Sequence, residues 1–182
     1  MTNDRLAEEI GHLDLVPPED RIAGPGTTPI MAAFTHPRPS RFSDGSFGVY
    51  YCASDELTAR RETAYHRERF MTANRLPAMA IDMREYVGRL DGPLHDLTHG
   101  QARETAVFDP DAYSAAQSLG ARLRTAGSNG VVYNSVRDPR GLPCAGVFRP
   151  PILGPVTQRR HLVYHWNGTR IERMQCVEDL DL

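Results

Sequence analysis

The dipeptide Asn167-Gly168 constrains this chain more than any other feature of its sequence. An Asn-Gly step between two alternating segments supplies the positive backbone angles of a tight turn, so it predicts a β-hairpin. Its flanks, Arg160 to Trp166 (RHLVYHW) and Thr169 to Met174, alternate as paired strands should. Further strands are expected at Phe47–Ala53, Ala78–Met83, Gly130–Ser135 and Ala145–Phe148, each short and bounded by turn residues. Two helices stand among them. The first is expected from Asp55 to Met71, with Ser54 as its N-cap, Asp55 and Glu56 in its positive first turn, and Leu57, Ala64, Phe70 and Met71 as apolar anchors. The second runs from Asp111 to Thr125 and is stopped by Gly127. Strands at irregular spacing with two principal helices predict an α+β fold rather than a doubly wound sheet.

The 182 residues fit one domain and bury enough surface to need no disulfide or metal staple. Residues 1–40 are broken by Pro17, Pro18, Gly24, Pro25, Gly26, Pro29, Pro37 and Pro39, leaving room for a short helix at Asp4 to Ile10. The lead-in proper is placed at 1–27 and the domain at 28–182. Cys52, Cys144 and Cys176 are odd in number and widely spaced, so neither a disulfide framework nor a zinc knuckle is expected, and a reducing cytoplasm is the natural location. No signal pattern opens the chain, and no apolar run reaches membrane-spanning length.

Charge narrows the chemistry. A net charge of −2 argues against a surface built to neutralise nucleic-acid phosphates. All 21 basic residues are arginine. Walker-lysine and Schiff-base chemistry are therefore excluded, and any phosphate contact falls to bidentate guanidinium groups. No GxGxxG follows a strand, which removes a dinucleotide fold of the doubly wound type. His95 with His99, and His161 with His165, have i,i+4 spacing, but no acidic or cysteine cluster completes either as a metal site. Cys52 and Ser135 are conceivable nucleophiles without a recognisable base or elbow motif.

One constellation survives. Arg41 lies in Ser-Arg-Phe-Ser-Asp-Gly before the first strand, Tyr51 within that strand, Glu62 two turns into the helix, and Ser135 at the end of Val-Val-Tyr-Asn-Ser, with Arg137 just beyond. Taken singly each has an ordinary reading: a loop charge, a core tyrosine, an i,i+4 ion-pair partner, a turn residue.

The segment SRFSDGSFGVYYCASDELTARRE, Ser40 to Glu62, together with Gly130 to Phe148, resembles the RES domain of bacterial toxin–antitoxin modules. That family is named for an Arg, a Glu and a Ser, matched here by Arg41, Glu62 and Ser135; its strand tyrosine corresponds to Tyr51. The resemblance covers roughly residues 28–160. It implies a single domain with a mixed or antiparallel split β-sheet core similar to NAD⁺-dependent ADP-ribosyltransferases, and cleavage of the nicotinamide–ribose bond of NAD⁺ as substrate. The product acceptor would be water or phosphate, or a host protein. Glu62 would then stabilise the developing positive charge, Arg41 hold the pyrophosphate, Tyr51 stack on nicotinamide and Ser135 position Glu62 or the nicotinamide side, with Arg61 and Arg137 as further phosphate contacts. The implied partner is a cognate Xre-type antitoxin. The extended lead-in and the Arg-rich helix exceed the minimal domain, which leaves the acceptor open. A non-enzymatic binding module and a nucleic-acid-cleaving toxin are the competing classes.

Overall fold

The hairpin forms where Asn167-Gly168 places it. The computed structural model describes residues 11–99 and 106–177, and in it β6 (Thr157–Trp166) pairs antiparallel with β7 (Ile171–Val177). Gly168 takes a φ of +100°, and the Asn167 Oδ1 accepts from the amides of Thr169 and Arg170 at 2.9 and 3.0 Å. β2 (Met79–Val87) pairs antiparallel with the other edge of β6, giving a three-stranded sheet. The second sheet is mixed. β1 (Tyr50–Ala53) and β4 (Gly130–Asn134) both run antiparallel to β5 (Pro143–Val147), and β3 (His95–Asp96) adds parallel to β4. With α1 (Thr28–Thr35), α2 (Glu56–Ala73) and α3 (Ser114–Thr125), the described residues form the expected α+β fold. No described helix is long and apolar enough to cross a membrane.

The pleat of the mixed sheet sorts its side chains onto two cores. Tyr50, Cys52, Ala145 and Val147 face one cluster, with Val16, Ile30 and Phe34. Val131, Tyr133 and Cys144 face the other, with Phe42, Phe47, Ala116 and Phe148. Tyr51 pairs with Gly146, which pairs in turn with Val131 on β4, so it shares the second face. Ser135 continues the parity of Val131 and Tyr133, and its amide still bonds the Leu142 carbonyl at 3.0 Å. Two of the expected site residues are thus fixed to one face by strand alternation. On that face α3 approaches the Arg41 loop so closely that a Cβ on Gly120 would strike the Phe42 carbonyl.

α2 lies between the sheets and is tied to both. On the antiparallel side, the Thr63 hydroxyl meets Tyr164 at 3.0 Å, Trp166 donates to the Leu76 carbonyl at 3.1 Å, and Arg60 bridges Glu56 and Glu85. Tyr164 and Trp166 are buried there, each stabilising the fold by about 1.5–3 kcal/mol.

Several local expectations are corrected. The N-cap of α2 is Asp55 rather than Ser54: its extended backbone and carboxylate, which accepts from the Thr58 amide at 3.1 Å, satisfy an orphan donor and the helix dipole together. Leu57 and Phe70 are exposed, and Thr58 and Met71 are the buried positions. The helix docks partly through polar contacts, so its inward face does not read as an apolar stripe. α1 occupies part of the proline-punctuated stretch because Pro29 sits in its first turn, where a missing N–H costs nothing. Val16 and Asp20, inside the stretch read as a lead-in, pack into the body, with Asp20 paired to Arg149 at 2.6 Å. β3 falls between the strand expected at Ala78–Met83 and the helix expected from Asp111, where the sequence carries no strand signal. The short helix expected at Asp4 to Ile10 lies outside the described residues.

Candidate active site

Glu62 and Ser135 meet. The Ser135 Oγ donates to the Glu62 Oε1 at 2.5 Å and accepts from the amides of Arg137 and Asp138 at 3.1 and 2.9 Å. One donor and two acceptor positions are all a hydroxyl has. Ser135 is therefore saturated as an orienting group, with its proton committed to the carboxylate and no lone pair directed at a substrate carbon. The Glu62 side chain stays 18% exposed, so it is not sealed in the core.

The loop beneath Ser135 is pinned by Asp138. Its carboxylate receives Thr58 Oγ1 at 2.6 Å and Arg140 Nη2 at 2.6 Å, and it pairs with Arg61. Hydrogen bonds from Arg140, then from Thr58 and Arg61, hold the Asp138 carboxyl well below the usual aspartate range. This network joins the first turn of α2 to the turn after β4, and so sets the distance between Glu62 and Ser135. Arg61, expected at a phosphate, is instead engaged with Asp138.

Arg41 is also more committed than a free phosphate fork would be. It is buried, and its Nη1 donates to the carbonyls of Val107 and Asp109 at 3.2 and 3.0 Å, with the guanidinium 4.8 Å from the centre of the Tyr113 ring. Tyr51 fixes the same loop from the other side. Its hydroxyl accepts from the Phe42 amide at 3.0 Å and donates to Ser40 Oγ at 2.9 Å. Burial of that hydroxyl end pushes its pKa up to about 12, so it stays a neutral donor, whereas the residue as a whole is 37% exposed and leaves ring surface open. Gln117 on α3 completes the hold by donating to the carbonyls of Ser40 and Ser43.

Between these two halves lie Arg137, expected as a phosphate contact, and a set of aromatic, basic and imidazole groups that motif reading missed. Arg137 stacks with its guanidinium carbon 3.4 Å from the Tyr65 ring centre and donates to the Pro110 carbonyl. Arg69 lies 5.5 Å from the Tyr113 ring centre, and the Tyr65 hydroxyl donates to Asp111 at 3.1 Å. His66 places Nε2 4.0 Å from the Glu62 Oε2. Partial desolvation of the ring and then the charges of Arg137, Arg41 and Arg69 push its pKa down, so the imidazole favours its neutral form near pH 7 although the side chain is half exposed. A signal for this set was available: Tyr65, His66 and Arg69 follow Glu62 at i+3, i+4 and i+7, one face of the expected helix. Nothing in the sequence marked the 107–113 loop or Asp138.

Other candidates separate from this cluster. Burial pushes the Cys52 thiol up to about 11, which opposes a nucleophilic role. His161 and His165 lie along strand β6, roughly 13 Å apart by strand rise, and pair instead with Asp82 and with Gln175. His95 begins β3, and His99 lies in a turn beside Asp96. Among the described residues, no group of three His, Cys, Asp or Glu side chains could hold a metal ion. A surface hollow of about 330 Å³, lined in part by His95, Gly127 and Asn129, is at the far end of α3 from Tyr113 and includes none of the expected site residues.

The RES-domain family model matches residues 18–167, and with them every residue of the cluster. The chain belongs to the RES-domain family. An uncharacterized protein of Sinorhizobium fredii, y4oC, is 28% identical over 187 aligned positions, covering 98% of this chain and 74% of the relative. The RES family is associated with NAD-related enzymatic toxins of toxin–antitoxin type. In this RES domain Glu62 and Ser135 are in direct contact, and Arg41 and Tyr51 build the adjoining wall.

Proposed function

We propose that this RES-domain chain is a toxin that consumes NAD⁺ by cleaving its nicotinamide–ribose bond, with water or phosphate as acceptor. The observation that carries the proposal is the Ser135-oriented carboxylate of a partly exposed Glu62, in a cluster rich in arginine and tyrosine. As the carbon–nitrogen bond breaks, its electron pair leaves with nicotinamide and positive charge develops on the ribose, as in glycoside cleavage. A carboxylate held in place by a hydroxyl and a helix is already oriented toward that charge and needs no reorganisation in the transition state. The open surface of the Tyr51 ring offers a stacking platform for nicotinamide. Arg137 and Arg69, with Arg41 behind them, give the cluster the positive field that a pyrophosphate requires. For Arg41 to bond a phosphate directly, the carbonyls of Val107 and Asp109 must first yield it.

A second reading, transfer of ADP-ribose to a host protein, is favoured by the exposed Arg69 on α2, two turns beyond Glu62 on the same helix face, a group suited to meeting an acidic acceptor. In either reading the natural partner is an Xre-type antitoxin that covers the cluster. Induced expression tests the proposal. The cellular NAD⁺ pool collapses with wild type and holds with Glu62→Ala. Arrest with an intact pool and ADP-ribose attached to protein selects the second reading, and no effect of wild type on growth or NAD⁺ defeats both.

A further inference from the structure

His66 is an ionisable side chain beside Glu62 to which neither the family motif nor the proposal above gives a role. It stands one helical turn beyond Glu62, with its side chain 53% exposed, so solvent or a ligand can reach it. Its ring is held edge-on to Tyr65 with centres 5.4 Å apart. The groups facing it are Glu62, Tyr65 and Arg69 on α2, Arg41 before β1 and Arg137 after β4. Glu62 is asymmetric in a way that matters here. Its Oε1 takes the Ser135 proton, whereas its Oε2 is the oxygen nearer the imidazole.

The 4.0 Å between Glu62 Oε2 and His66 Nε2 is too long for a hydrogen bond. It accommodates one oxygen at roughly 2.8 Å from each. A hydroxyl in that position needs an acceptor for its proton and gains from a donor to its lone pair. The carboxylate supplies the first, and the Nε2–H tautomer of a neutral imidazole supplies the second. An imidazolium there would pair with Glu62 and cancel the charge that the carboxylate offers; the surrounding arginines oppose that state.

We propose that His66 and Glu62 form a two-point clamp on a single hydroxyl oxygen, with His66 as the specificity-determining donor. The clamp rests on the NAD⁺ reading, in which the hydroxyl belongs either to the ribose of NAD⁺ or to the attacking acceptor. His66 supplies no covalent step; it fixes where that oxygen sits relative to the breaking bond.

The test compares wild type, His66→Leu, His66→Gln and Glu62→Ala for NAD⁺ turnover (kcat and KM separately), ADP-ribose binding by calorimetry and thermal unfolding. His66→Leu loses about 10- to 100-fold in kcat/KM, the range for a hydrogen bond within a charged site. His66→Gln, which keeps an N–H donor, recovers most of that loss, and both unfold with wild type because the side chain is half exposed. If the hydroxyl is the ribose's, His66→Leu weakens ADP-ribose binding as well; if it is the acceptor's, kcat falls alone. Turnover by His66→Leu equal to wild type, with Glu62→Ala inactive, overturns the clamp and spares the NAD⁺ reading. A loss that glutamine does not restore also overturns it. Wild type that neither turns over NAD⁺ nor binds ADP-ribose overturns both.

Discussion

The two halves of this cluster are built to different degrees of readiness. On the Glu62–Ser135 side, the carboxylate, the hydroxyl and two backbone amides already satisfy one another, and the Asp138 network beneath fixes their spacing. On the Arg41 side, the guanidinium is equally well satisfied, but by the carbonyls of Val107 and Asp109 and the ring of Tyr113. The same loop takes Arg137 through Pro110 and Tyr65 through Asp111. One half is preorganised toward a ligand, and the other is preorganised toward its own chain. Under the proposed function, charge stabilisation at the ribose would require no rearrangement, while direct phosphate binding by Arg41 would require the 107–113 loop to give way.

The strongest way to break the ready half is Ser135→Ala. It releases Glu62 and leaves the amides of Arg137 and Asp138 without their acceptor, so NAD⁺ turnover falls about 10- to 100-fold. Steady-state nicotinamide release by the purified variant checks this, and an unchanged rate would show that Glu62 needs no orientation. Arg41→Lys probes the other half. A single ammonium cannot serve two carbonyls and stack on Tyr113 as a planar fork does, so hydrogen exchange speeds up across 107–113 and turnover drops by about 10-fold. If exchange in that loop is unmoved, Arg41 does not hold it closed.

Asp138 sharpens the comparison through pH. Its carboxyl is held below the ordinary value, chiefly by Arg140. The stability it contributes is complete above the unfolded aspartate pKa of about 3.9 and is lost as pH falls below that toward the depressed folded value. Denaturant midpoints should therefore decline on acidification from pH 5 to pH 3 in wild type, and less steeply in Asp138→Asn, which starts lower and turns over NAD⁺ several-fold more slowly. Equal slopes would remove Asp138 from the account. The smallest effect belongs to Arg61→Ala. Because Arg61 turns to Asp138, where Arg140 also binds, turnover should stay within about threefold of wild type. A rise in KM beyond tenfold would return Arg61 to the substrate.

These differences follow how each part is encoded. The Glu62–Ser135 pairing was legible only as one alternative that the family resemblance implied; the structure makes it through two regular periodicities, strand parity through Val131, Tyr133 and Ser135 and the turns of a helix opened just after Tyr51. His66 was equally available by helix spacing but carries no motif of its own. The closure over Arg41 was not legible, since it is made by backbone carbonyls of an irregular loop, and any sequence presents carbonyls. Thr58 and Asp138 were hidden for a related reason. A buried polar contact between residues 80 positions apart leaves no local pattern, and it also explains why the most buried position in α2 is a threonine while Leu57 faces solvent.

If this RES domain acts as proposed, the Ser135-oriented carboxylate of Glu62 drives cleavage of the nicotinamide–ribose bond. Nicotinamide release from NAD⁺ by purified wild type and by Glu62→Gln, which keeps the shape and removes the charge, tests it most directly. The account predicts release by wild type and a loss of about 10²- to 10⁴-fold in the variant. Equal release by a folded Glu62→Gln protein would contradict it.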